Sequence, residues 1–234
     1  MASFAMKSDL VAELNMVRSE AWQSVMSLSK EEFEEKIRPE KLPKDRKTLL
    51  FQFIKSEIQI CHTSSLDIED YALKCLKPEV YKSLRIKEHP HSSCSLYEYD
   101  PPKNGQNIIK HGIGFSEVVS YSKRFGTLMV PLPNQTKEKR YVIFSDLLLN
   151  RNSGELILPP QNIRELNYTI SIVQQIIGKV RFISSRLMSS KKKKCRNTIA
   201  QALREIISDE QARNAIIDRC LEILETSLFR KCDD

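Results

Sequence analysis

The sequence is poor in glycine, has a single tryptophan and contains no long apolar run. Six Gly and ten Pro among 234 residues exclude a collagen-like or low-complexity chain. No stretch approaches the roughly 18–20 apolar residues that a bilayer-spanning helix needs. No CxxC occurs, and Cys61, Cys75, Cys94, Cys195, Cys220 and Cys232 lie at long, irregular intervals. The opening MASFAMKSDL has neither a basic n-region nor a continuous apolar h-region. Together these predict reduced thiols in an intracellular protein, in the nucleus or in nucleus and cytoplasm. Signatures that would name a reaction are also missing: there is no GxxxxGK[ST], GxSxG or HExxH, and Gly112-Ile-Gly114 lacks a third glycine. Neither an RNP-like aromatic motif nor a KH-like glycine motif occurs, so no named single-strand reader is indicated.

Positive charge is present, and it is local. Between Arg164 and Arg204 ten basic residues face one acid, Glu165, for a net +9, whereas the whole chain carries +7. Everything outside that window is therefore at −2. The densest part is KVRFISSRLMSSKKKKCR, with Lys179, Arg181, Arg186, Lys191, Lys192, Lys193, Lys194 and Arg196 and no acid. Such a set binds phosphate backbones through counterion release and without reading bases. Lysine outnumbers arginine, which favours point-charge over bidentate contacts. The same residues suit an anionic membrane surface, and Lys191–Lys194 with Arg196 suits an import receptor. The bland alternative is a solvated basic loop that complements a helix C-terminus. Phe182 is the one aromatic within the stretch, and its place beside Ile183 makes it core or stacking platform.

The chain pattern predicts an α+β fold in three parts: a helical region over 1–90, a β-rich middle over 91–160 and a helical region over 161–234, forming one cooperative unit. In the first part, Ser29-Lys-Glu-Glu32 is a capping box, Pro43 suits the start of the next helix, and the stripes Leu49–Cys61 and Ile68–Leu76 face inward. In the middle, Pro101-Pro102, Asn104-Gly105, Gly112 and Gly114 punctuate the β-rich runs CSLYEY, GFSEVVSY, GTLMVPL and RYVIFSDLLL. These predict a mostly antiparallel sheet of three to five strands, including a hairpin of Tyr141–Leu149 with Glu155–Leu158. In the last part, Ile163, Leu166, Ile170, Val173, Ile177, Val180, Ile183 and Leu187 follow spacings of three and four. That pattern predicts one long helix over Asn162–Met188. Lys191–Arg196 then reads as a flexible connector, and Ser208-Asp-Glu-Gln211 as a second capping box.

Two other constellations carry chemistry. His89, His91 and Cys94 supply three zinc-type ligands within six residues, with Cys75, His62 or His111 as a fourth; a polar linker explains them as well. Asp146, Glu155 and Glu57 offer carboxylates for two Mg or Mn ions of a nuclease, although no Lys follows Glu155 at the usual spacing. The reading that fits most of the sequence is a non-enzymatic structural or regulatory protein that binds nucleic acid, RNA before DNA. Its physical type matches a small viral matrix or accessory protein. A peripheral membrane protein and a metal-dependent nuclease are the alternatives. The apolar residues of the last helix serve either the core or a homo-oligomer face.

Overall fold

Residues 2–60, 62–84, 96–122, 125–126, 128–133, 139–147 and 168–228 are described by a computed structural model of the chain. The N-terminal part is helical, as its periodicity predicts: α1 (Ala2–Met26), α2 (Lys30–Ile37), α3 (Lys44–Ile54), α4 (His62–Leu76) and α5 (Pro78–Leu84). The expected stripe to Cys61 is cut short, because α3 stops at Ile54 and Ser56 takes a φ of 58°; Cys61 itself lies outside the described residues. The capping box at the start of α2 is present. Glu32 N–H donates to Ser29 Oγ at 3.2 Å, and Ser29 N–H donates to the Glu32 carboxylate at 2.8 Å. Pro43 is the N-cap of α3. Phe33, Ile37, Leu50, Phe53, Ile54, Ile68, Tyr71, Ala72 and Leu76 form the core of this layer.

A five-stranded sheet follows, in the order β1-β5-β4-β3-β2. Its members are β1 (Tyr97–Glu98), β2 (Leu128–Pro131), β3 (Arg140–Asp146), β4 (Tyr168–Ile176) and β5 (Lys179–Met188). Among the described strands only the short β1 runs parallel to its neighbour, β5. The sheet is therefore mostly antiparallel, and the α+β class stands. α8 (Lys192–Arg204) and α9 (Glu210–Ile223) follow the sheet, and α9 runs on into a π-helical turn over Leu224–Leu228. They bury Cys195, Ile199, Leu203, Ile217 and Cys220 against Val142, Phe144, Ile170 and Ile172 on one sheet face. The other face carries an aromatic cluster in which Phe182 stacks on Phe115 at 5.0 Å and meets Tyr97 edge-on at 5.8 Å. Phe182 is thus core and no platform for bases.

The expected helix over Asn162–Met188 is overturned. Residues 168–188 form the β4–β5 hairpin, which turns at Ile177-Gly178 with Gly178 at φ 74°. The segment is dense in β-branched residues, which favour a pleated surface, and its central glycine is a poor helix residue but suits positive φ. At the register shift the pairing passes from Ile172↔Ser184 to Val173↔Phe182, so the extra residue is Ile183 of β5. The spacings of three and four arise because both faces of the hairpin carry apolar residues, which together imitate a helical stripe. Ile170 and Val173 actually serve opposite faces, and Ile177 is fully exposed. Ile163 and Leu166 lie outside the described residues.

Two smaller expectations also change. GFSEVVSY is not a strand but α7 (Phe115–Tyr121), begun by the Glu117 carboxylate accepting the Gly114 N–H. The second capping box reduces to Asp209, which accepts the Ala212 N–H at 2.6 Å. The strand Arg140–Asp146 is present, but it pairs with β2 and β4. Its expected partner, Glu155–Leu158, lies outside the described residues.

The run Pro101-Pro102-Lys-Asn104-Gly105 starts a helix, α6 (Pro101–His111), which joins the helical layer to the sheet. Proline at the first helical positions removes donors that would have no intrahelical partner. Asn104 donates to Asp67 of α4 at 2.7 Å and accepts from Phe115 N–H at 2.8 Å. One turn on, Asn107 donates to the Ile113 carbonyl at 2.7 Å and accepts the Ser185 N–H of β5 at 2.8 Å. Gly105 lets α4 approach to backbone contact: a Cβ there would lie 2.0 Å from the Asp67 carbonyl oxygen.

Candidate nucleic-acid interface

The hairpin separates the basic stretch into two groups. Nine strand steps of about 3.3 Å place Lys179 and Met188 about 30 Å apart. At the first end, Lys179 and Arg181 converge on Glu98, whose side chain is 6 % exposed. Lys179 Nζ stands 2.8 Å from the carboxylate, and Arg181 Nε donates to it at 2.6 Å. Burial raises the carboxyl's pKa, but the hydrogen bonds from Lys179 and Arg181 outweigh it, so the group is held below the ordinary carboxylate range. These two cations neutralise a buried acid of the fold.

Arg186 lies further along β5, largely buried, and donates to Glu205, the C-cap of α8, at 2.6 Å. It also faces His111 at the end of α6. Burial and then the charges of Arg186, Lys110 and Arg46 push that imidazole down to about 3. Arg186 is part of the packing, not of an open surface.

The remaining five cations sit together. Lys191 is the N-cap of α8, Lys192, Lys193 and Lys194 are its first three residues, and all four are exposed. The expectation of a flexible connector is overturned. Cys195, buried beside Met188 at 3.5 Å, and Ile199 anchor the helix from its first turn. Like-charged neighbours are tolerated there because the lysine side chains splay about 100° apart around the axis. The bland reading of cations at a helix C-terminus is overturned too, since they occupy the positive end. That turn has no acidic residue and no side-chain cap. Cations at that pole cost about 0.3–1 kcal/mol each at an exposed site. Lys192 reaches Glu225 at 2.7 Å and Arg196 reaches Asp218 at 2.8 Å. The five cations stand together beside the N–H groups of a helix start.

The other candidates do not assemble. His89, His91, Cys94 and Glu155 lie outside the described residues. Glu57 lines a groove between α2 and α3, whereas Asp146 ends β3 opposite Tyr168. Among the described residues no group of three or more His, Cys, Asp or Glu is placed to hold a metal ion. Burial pushes the thiols of Cys75, Cys195 and Cys220 up to about 12, 11 and 12, so they stay protonated at neutral pH. No helix among the described residues is long and apolar enough to cross a membrane.

No protein-family model, curated protein or solved structure matches the chain. Sequence reasoning missed the role of Glu98. Its one signal was an acid between Tyr97 and Tyr99, in a short run of otherwise β-forming residues.

Proposed function

We propose that the protein is a non-enzymatic nucleic-acid-binding protein whose contact surface is the start of α8, with single-stranded RNA as the first ligand to examine. The observation that carries this reading is the placement of Lys191–Lys194 at the positive pole of a rigidly packed helix. Helix start and lysines repel one another there, so the arrangement opposes stability. An approaching phosphate relieves both terms at once, accepting from helix N–H groups while the lysines supply charge. Lysine point charges without aromatic side chains among them predict backbone contact and little base preference.

The proposal narrows the contact set from eight cations to Lys191, Lys192, Lys193, Lys194 and Arg196. Binding of a labelled RNA of mixed sequence should weaken at least tenfold in Lys191–Lys194→Ala. It should be unaffected by Lys179→Ala, which touches only the Glu98 site. Equal affinity of wild type and the tetra-alanine variant would remove α8 from the interface. Nuclear accumulation lost in that variant while RNA binding persists would instead make the lysines an import signal.

A further inference from the structure

A groove of about 470 Å³ lies in the helical layer between α2 and α3, within the range of small-ligand sites. Three lysines line it: Lys30 at the start of α2, and Lys44 and Lys47 in the first turn of α3. None of the three forms an ion pair with a described residue. α3 also begins without a side-chain cap, its N-cap being Pro43. The apolar wall is aromatic. Phe33 is buried, and the half-buried Phe51 packs against it with centroids 5.2 Å apart. Lys55 stands 5.3 Å from the centre of the Phe51 ring and donates to the Met26 and Leu28 carbonyls, which fixes that corner of the groove. Thr48, Gln52 and the carboxylates Glu34 and Glu57 complete the lining.

We infer that this groove binds a nucleotide, as a free mononucleotide or as one residue of a single strand. Cations and ring occupy one concavity, so the ligand must combine a phosphate with a flat, partly apolar group. Base–aromatic stacking contributes about 1–3 kcal/mol and tolerates any base. Glu57 and Gln52 accept the exocyclic amino group of adenine, guanine or cytosine, an edge that inorganic phosphate lacks. The carboxylates also disfavour a bare polyanion, which separates this site from the α8 surface. The inference stands apart from the role of α8, because none of its residues is shared with it.

Calorimetric titration of the full chain with AMP, inorganic phosphate and an adenosine octamer tests the site. AMP should bind at least tenfold more tightly than phosphate. Lys44→Glu with Lys47→Glu, changes at solvent-accessible positions, should weaken AMP at least tenfold. Phe51→Leu should reduce AMP binding and leave phosphate binding unchanged. Lys191–Lys194→Ala should leave AMP binding intact, so failure of the α8 proposal and failure of this one are distinguishable. In the tetra-alanine background, octamer binding that disappears with the two charge reversals assigns the site to a strand. Octamer binding that survives them while AMP binding is lost assigns it to the free nucleotide. No AMP binding, AMP no tighter than phosphate, or AMP indifferent to the charge reversals would each overturn the inference.

Discussion

Gly105→Ala would test whether α6 joins the two layers at backbone contact. In isolation the change favours folding, since alanine is better than glycine in a helix by about 1 kcal/mol. Here the new Cβ would lie 2.0 Å from Asp67 O, 2.5 Å from Asp67 C and 2.8 Å from Ile68 N, where ordinary contact begins at 3.4 Å. The obstacle is main chain, so no side-chain rotation relieves it, and α4 must retreat by more than 1 Å. Overpacking of this kind costs about 1–3 kcal/mol. The retreat also pulls the buried Asn104–Asp67 hydrogen bond from 2.7 Å, and such a bond to a charged group contributes about 1.5–3 kcal/mol. Net of the helix gain, the loss should be about 2–5 kcal/mol. Urea unfolding followed by far-ultraviolet circular dichroism measures it, and the midpoint should fall by about 1 M or more. Lys103→Ala, exposed two residues earlier on the same helix, should stay within about 0.5 kcal/mol of wild type. A Gly105→Ala midpoint at or above wild type would refute the close approach of α4 and α6.

Three further outcomes follow from the charges. His111 takes up its proton near 6.5 when unfolded but only near 3 when folded, so stability falls as pH drops from 7 towards 3. At pH 5 the loss relative to pH 8 should be about 2 kcal/mol, and His111→Asn should remove that difference; an unchanged pH profile would contradict the half-buried neutral imidazole. Glu98→Gln should cost about 1–3 kcal/mol, below the range for fully buried pairs because Lys179 and Arg181 are partly exposed. Glu98's contribution is present above the ordinary carboxylate range and is lost as pH falls through its depressed folded value, so wild type and Glu98→Gln should converge in acid. Nucleic-acid affinity should be the same in both, and a tenfold loss would return that end of β5 to the interface. Labelled RNA incubated with Mn²⁺ should remain intact, and metal-dependent cleavage abolished by Asp146→Ala would contradict a purely binding role.

The sequence disclosed the helical N-terminal layer because its signals are local: the Ser29–Glu32 box that starts α2 and the apolar stripes of α3 and α4. It also disclosed β2, β3 and the final helices. It misled over residues 168–188, where apolar residues on both faces of the hairpin together read as a helix-like spacing. The β-branched density of TISIV and the lone Gly178 were the competing signals. It misled again over α6, because Pro101-Pro102 and Asn104-Gly105 are turn signals in isolation. The approach of α4 explains a glycine within that helix, and the bonds to Asp67, Phe115, Ile113 and Ser185 explain the two asparagines. The basic patch was legible as charge but not as geometry. Lys179 and Arg181 are committed to Glu98, a partner some eighty residues earlier in the chain, and no local pattern announces such a pairing. The rigidity of the lysine cluster was equally hidden, since it comes from Cys195 and Ile199 packing under the sheet.

The salt dependence of RNA binding tests the central claim most directly. Contact of Lys191–Lys194 with up to four phosphates gives a slope of log K against log salt of up to about −3 for single-stranded RNA. Affinity should therefore fall by up to about 50-fold between 50 and 200 mM salt. In Lys191–Lys194→Ala the slope should approach zero while the unfolding midpoint stays at or above wild type, because the lysines oppose the helix dipole. A slope unchanged by those four substitutions would contradict the account.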